Sequence, residues 1–183
     1  MSYTGIPGWS VDIEPFYKSC ALGLPIGARF LEVGVFLGRS LACMAELRDD
    51  IELWGLDPFS TDESWGGPDT YRPHIDKYGG SQWAAFLQIM AKNAPNALNR
   101  ARILRAKSCD IDFREGFDMI FIDAAHDYLN VTKDIAWARR HVKPNGILSG
   151  HDYCETFPGV IQAVNEAFPF ATIQGTCWKV TRP

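Results

Sequence analysis

The chain carries no run of basic residues, no apolar stretch of membrane-spanning length, no CxxC pair and no three-glycine G-x-G-x-x-G turn. Each absence removes a class of function. Eighteen Lys and Arg against 22 Asp and Glu leave a net charge of −4, so nothing forms the electrostatic footprint that a phosphate backbone needs, and nucleic acid is not expected as a partner. Without a long apolar run no membrane partner is expected, and Met1 to Pro15 lacks the basic and apolar regions of a signal peptide. The five cysteines, Cys20, Cys43, Cys109, Cys154 and Cys177, are odd in number and stand at no zinc spacing. They read as reduced thiols of a cytoplasmic protein. No internal repeat or low-complexity tract is present.

What is there is an alternation of helix and strand signals in 183 residues, 46% of them hydrophobic, enough for one domain with a real core. Ile13, Phe16, Tyr17 and Cys20 fall at helical spacing and predict a helix over roughly 11–22. The stretch "FLEVGVFLGRSL", Phe30 to Leu41, reads as a buried strand that turns into a helix with Leu41, Met44 and Ala45 on its apolar face. "IELWGLDPF" is a second strand, stopped at Asp57-Pro58; "ARILRAKS", "FDMIFIDAA" and "GILSGHDY" are the third to fifth. A helix over Val131 to His141 is expected to close at "KPNG", a proline-glycine stop, and another runs from Gly159 to Phe168. Ser81 caps a helix whose Trp83, Phe86, Leu87 and Met90 form a core stripe, and "ATIQGTCWKV" predicts a terminal hairpin around Gly175-Thr176.

Strands that alternate with helices and read as continuous apolar runs predict an α/β fold with a mostly parallel sheet covered on both faces. Such sheets bind ligands beyond the carboxyl ends of their strands. The chemistry-bearing residues obey that rule. Glu32 to Ser40 follow the first strand, Asp57 the second, Ser108 and Asp110 the third, Asp123 and His126 the fourth, His151 and Asp152 the fifth. Gly34 and Gly38 let the backbone of the first turn approach a ligand, and the helix start behind them offers free N–H groups. With Phe36 where a pyrophosphate site wants a glycine, a carboxylate or a single nucleoside fits this turn better than a dinucleotide, and a nicotinamide-dependent oxidoreductase ranks low.

"LEVGVFLGRS", Asp57, "AKSCDI", "FIDAAHDY" and "GHDY", in this order and spacing, resemble the class I S-adenosylmethionine-dependent methyltransferases. The likeness is greatest to the catechol-type O-methyltransferases and the related small bacterial enzymes of the family 24 type, and runs from about Ala28 to Tyr153. It implies a Rossmann-like, doubly wound, mostly parallel seven-stranded sheet with a C-terminal antiparallel hairpin, and a small methyltransferase domain over 1–183. It further implies S-adenosyl-L-methionine as cofactor, Mg2+ or another divalent cation in the metal-dependent members, O-methyl transfer to a small-molecule acceptor, and room for a homo-oligomer. By the same resemblance Glu32 anchors the glycine turn, with Gly34, Phe36 and Gly38 lining the methionine end of the cofactor, and Ser40 receives its carboxylate. Asp57 takes the ribose hydroxyls, Pro58 lies against the adenine, and Ser108 bonds the adenine edge with Cys109 beside it. Asp123 and Asp152 match two carboxylates of a cation site, and His126 stands where the catechol-type enzymes carry a catalytic lysine.

Each residue also has a plainer role open to it. Asp57-Pro58 is a common strand-to-turn pair, Ser40 a plain helix cap, Ser108 an ordinary loop serine, and His126 and His151 surface or structural histidines. Two departures from the family count: Tyr153 follows Asp152 where asparagine is usual, and Ala125 stands where relatives carry a second acid. They keep open a cofactor-binding or assembly module without catalysis. The segment 60–82 has no periodicity and is long for a connection inside a domain, so it is a candidate lid loop, with Trp65, Tyr71, His74 and Tyr78 as its reach toward cofactor or acceptor.

Overall fold

The structure is a computed structural model that describes residues 2–8, 11–60 and 71–182. Seven strands form one sheet: β1 (Arg29–Val33), β2 (Glu52–Leu56), β3 (Arg102–Leu104), β4 (Phe117–Ile122), β5 (Val142–Gly150), β6 (Thr172–Gln174) and β7 (Cys177–Thr181). Their order is β3-β2-β1-β4-β5-β7-β6, with β1 to β5 mutually parallel and β7 antiparallel to both β5 and β6. The order reverses between β1 and β4. This is the Rossmann-like, doubly wound sheet with the C-terminal hairpin that the sequence implies.

Helices α1 (Ile13–Ala21), α2 (Arg39–Leu47), α3 (Arg72–Asp76), α4 (Gln82–Asn93), α5 (Pro95–Arg100), α6 (Tyr128–His141) and α7 (Pro158–Ala167) flank the sheet. The strands serve two cores because successive side chains point to opposite faces. Phe30, Met119 and Phe121 pack with Phe16, Tyr17, Leu41, Phe86 and Met90 of α1, α2 and α4. Leu31, Val33, Ile120 and Ile122 pack with Val131, Ile135, Val160 and Val164 of α6 and α7. By the same alternation Glu32 faces the α1–α2 side.

Local structure adds to the expectations in three places. The helix α6 ends at His141 as expected, but "KPNG" is not a loop: β5 begins at Val142, so Lys143 to Gly146 lie inside the strand. There the register between β4 and β5 shifts and Asn145 takes φ 62°, a bulge rather than a stop. The expected lid is partly structured: α3 interrupts it, and Ile75 is fully buried in the first core. Trp65 lies outside the described residues, and His74 is exposed. The short α5 fills the run before β3, where no element was expected.

Candidate active site at the carboxyl ends of the strands

The strand ends lie level. Leu56 pairs with Val33, Val33 with Ile122, and Ile122 with Gly150. The residue after each forms the next row, Asp57, Gly34, Asp123 and His151, and the backbone ladder continues through it. Gly34 N donates to Leu56 O at 2.8 Å, Asp123 N to Val33 O at 2.7 Å and His151 N to Ile122 O at 3.0 Å. Four of the chain's chemical side chains or turns are thereby fixed on the rim by sheet hydrogen bonds, not by loops.

The β1–β2 half is closed on itself. Asp57, 7% exposed, accepts Val35 N–H and Phe36 N–H on one oxygen, each at 2.8 Å, and Phe59 N–H on the other. Burial raises its pKa while these backbone donors work against the rise. Asp57 therefore anchors the middle of the glycine turn, and it holds Phe36 at φ 53°. A carboxylate has about four acceptor sites, and three are engaged here. Glu32, fully buried, accepts the Ser40 hydroxyl on Oε1, so that hydroxyl is turned inward from the helix start. Burial lifts the Glu32 carboxyl well above the usual range, and nearby Asp123 and Asp57 add to the effect. The Ser40 hydroxyl offsets this only in part, and neither the Tyr17 hydroxyl nor Glu32 Oε2 closes a hydrogen bond.

The glycines serve packing as well as approach. At φ +90° a side chain on Gly34 would collide with the carbonyl of Asp123, so this is the point where the β1 turn and the β4 end touch. A Cβ on Gly38, at φ +89°, would come within 2.6 Å of Met90 Sδ. The Ser108 hydroxyl donates to Asp134 of α6, Cys109 is exposed with Sγ 3.6 Å from Asp110, and Pro58 is exposed.

The β4–β5 half is a chain of alternating imidazoles and carboxylates. His126 Nε2 lies 2.7 Å from Asp152 Oδ2 and its ring lies tilted against Phe157, with centroids 4.2 Å apart. His151 Nδ1 lies 3.2 Å from Asp152 Oδ1 and 3.5 Å from Asp123 Oδ1. Its Nε2 meets Thr176 Oγ1 at 2.9 Å and Asp12 Oδ1 at 3.2 Å, while the Thr176 hydroxyl donates to the other Asp12 oxygen. Burial works against a charged His151, but Asp123 and Asp152 outweigh it and push the pKa up to about 11. Burial likewise opposes the charge of Asp152, yet His126 and His151 hold its carboxyl well below the usual range. His126 is raised against its burial by the bond to Asp152. Asp152 itself sits at φ 60°, a left-handed backbone that aspartate tolerates better than most.

The structure brings Asp123, His126 and Asp152 together as the sequence order suggests. It adds His151, which the sequence places past the fifth strand without a role, and Asp12 and Thr176, which the sequence does not single out. His151 had a signal, since it follows β5 as Asp123 follows β4. Asp12 and Thr176 had none. One oxygen or nitrogen from each of Asp123, His151 and Asp152 lies within 4.8 Å of the others, a donor set that can hold a cation. Tyr153, in the position of the family's asparagine, instead sends its hydroxyl to Asn165 of α7 at 2.8 Å.

Comparison with known proteins bears on the family and the fold. The sequence profile of the Methyltransf_24 family, described as a methyltransferase domain, matches residues 31–153, about two thirds of the chain. No curated protein matches. Among solved structures, a candidate O-methyltransferase from Klebsiella pneumoniae superposes with a TM-score of 0.62 at 19% identity, over 98% of this chain and 84% of that one. A candidate caffeoyl-CoA O-methyltransferase from Staphylococcus aureus gives 0.64 at 16%, over 98% and 87%. The O-methyltransferase NovP gives 0.64 at 16%, over 94% and 80%. At these identities the likeness is one of fold. Among the described residues no helix is long and apolar enough to cross a membrane.

Proposed function

Because the chain belongs to the Methyltransf_24 family of S-adenosylmethionine-dependent methyltransferases, we propose that it transfers the methyl group to an oxygen of a small-molecule acceptor. The observation that carries this is the contact at Gly34: the turn that would hold the methionine end of the cofactor abuts the Asp123 backbone, beside His126 and Asp152. The cofactor supplies an electrophilic methyl on its sulfonium. What the protein supplies is position and a place for the acceptor's proton.

Glu32, Gly34, Phe36, Gly38 and Ser40 form the methionine end of the cofactor site, with Asp57, Pro58, Ser108 and Cys109 toward ribose and adenine. Glu32 Oε2, buried and without a hydrogen bond, suits an ammonium donor. Asp57 keeps room for one further bond, so it reaches the ribose while still holding the turn. On the acceptor side His126 takes the hydroxyl proton, held by Asp152 with its ring fixed on Phe157. Asp123 and Asp152 are the carboxylates available to a cation. Part of 60–82 acts as a lid, with Tyr71 against Phe36 at 5.3 Å between ring centres as its hinge side.

Calorimetry against S-adenosylmethionine, S-adenosylhomocysteine and NAD tests the cofactor assignment. Binding of the first two and not NAD is the expected result, and the reverse would refute it. Mass spectrometry of a library of phenols, sugars and amines incubated with the cofactor tests the acceptor atom. Methylation of amines alone would overturn the oxygen assignment. Binding without transfer to any acceptor would favour the module without catalysis, for which Ala125 and the diverted Tyr153 speak.

A further inference from the structure

The proton positions on His151 are constrained by its neighbours. Nε2 faces the Asp12 carboxylate, which only accepts, and a Thr176 hydroxyl whose hydrogen is given to Asp12. Nε2 therefore carries the N–H. In a neutral ring Nδ1 is then a lone pair, aimed at two more carboxylate oxygens, from Asp152 at 3.2 Å and Asp123 at 3.5 Å. Three electron-rich atoms facing one another call for a positive species between them.

With no ion bound, a proton on Nδ1 fills this place, in keeping with the raised pKa of His151, but its geometry is loose. Charge-assisted N–H···O bonds run about 2.7–2.9 Å, which is what His126 makes to Asp152 at 2.7 Å. Both Nδ1 separations are longer, and a single N–H shared between two oxygens makes a weaker three-centre bond to each. A metal ion satisfies it better. Donors about 2.0–2.2 Å from a first-row ion stand roughly 3.0–3.5 Å apart when they are neighbours in its shell. Asp12 then has the place of the carboxylate that accepts the second ring N–H of a ligating histidine and fixes its tautomer.

Taking Asp123 and Asp152 as the site's carboxylates, as proposed above, we infer that His151 is the third ligand through Nδ1, and that this Asp123–His151–Asp152 set selects a first-row transition ion such as Mn2+ or Co2+ over Mg2+. Hard Mg2+ prefers oxygen donors and retains its waters, whereas an imidazole raises the affinity for ions later in the transition series. Three protein ligands leave positions open for acceptor oxygens. Asp12 is a positioning residue: it touches the ring, not the ion.

The purified full chain, stripped with a chelator, is titrated separately with Mg2+, Mn2+ and Co2+ by calorimetry. The inference expects Co2+ at least about tenfold tighter than Mg2+, with Mn2+ between them. Pulsed electron paramagnetic resonance of the Mn2+-loaded chain reads the ligand directly, and modulation from an imidazole nitrogen is expected. His151→Asp narrows the preference by making the set all oxygen, and Asp12→Asn weakens Co2+ about 10–100-fold while keeping it. Mg2+ binding as tightly as Co2+, no binding of any ion, or no nitrogen modulation in the unmutated chain would each overturn the inference, even if the variants failed to fold. A thiolate-to-cobalt charge-transfer band would also overturn it, by placing the ion on the other nearby group, Asp12, His151 and Cys177. None of these measurements passes through methyl transfer. A chain that binds Co2+ as expected yet methylates nothing refutes the proposed function and leaves this inference standing.

Discussion

The two halves of the rim solve opposite problems with the same residue type. In the β1–β2 half, Asp57 and Glu32 are turned into the protein, one gathering backbone N–H groups, the other holding Ser40. In the β4–β5 half, Asp123 and Asp152 face histidines at distances that leave the cluster unfinished. Acids bonded to their own turn build a rigid cradle, with only Glu32 Oε2 left without a partner among the described residues. Incompletely satisfied ones build a place where something else binds or reacts. The difference suits a division of labour between holding a cofactor and activating an acceptor.

The sharpest way to break the comparison is at the one point where the halves touch. Gly34→Ala combines a left-handed backbone with a collision against the Asp123 carbonyl. It should destabilise the protein by about 4 kcal/mol or more, or prevent folding. Urea denaturation reads this, and a loss under 1 kcal/mol would mean that the halves are not in contact as described. His126→Ala comes next: kcat should fall by about 10²–10⁴ with S-adenosylhomocysteine affinity nearly intact. Parent-rate turnover would move the base elsewhere.

Asp57→Ala sharpens the comparison from the other side. It should weaken S-adenosylhomocysteine by roughly 1.5–3 kcal/mol, and should lower stability too, because the Val35 and Phe36 N–H groups lose their acceptor. Lost affinity at unchanged stability would mean that Asp57 serves the ligand alone. Ser40→Ala leaves Glu32 without its donor and should cost about 1–3 kcal/mol of stability. No measurable change would show that the buried carboxyl is satisfied in another way. The smallest effect is dynamic: bound S-adenosylhomocysteine should slow amide exchange over 71–80, and equal exchange with and without it would leave that stretch a plain surface segment.

The sheet was legible because buried parallel strands write themselves as apolar runs and because the acids and histidines stand just past each one. The rim residues were legible by the same rule, but their partners were not. Glu32 and Asp57 look interchangeable as strand-end acids, and only the register shows that Asp57 reaches the Val35 and Phe36 N–H groups while Glu32 points beneath Tyr17. His151 was visible, but a histidine next to an aspartate says nothing of its neighbour across the sheet until Gly150 pairs with Ile122. Asp12 is 139 residues from His151 and reaches it only through the packing of α1. The end of α6 was legible, but "KPNG" did not reveal that the chain enters a bulged strand at once, because only the sheet partner decides that.

The sheet's outermost strands bear on how this protein meets copies of itself. Both edges, β3 and β6, are three residues long. A neighbouring chain that tried to extend the ladder would find only a few backbone donors and acceptors on either side, too short a template to hold it. Runaway strand-by-strand growth therefore has no foothold on either edge, whatever other surface copies of the chain use.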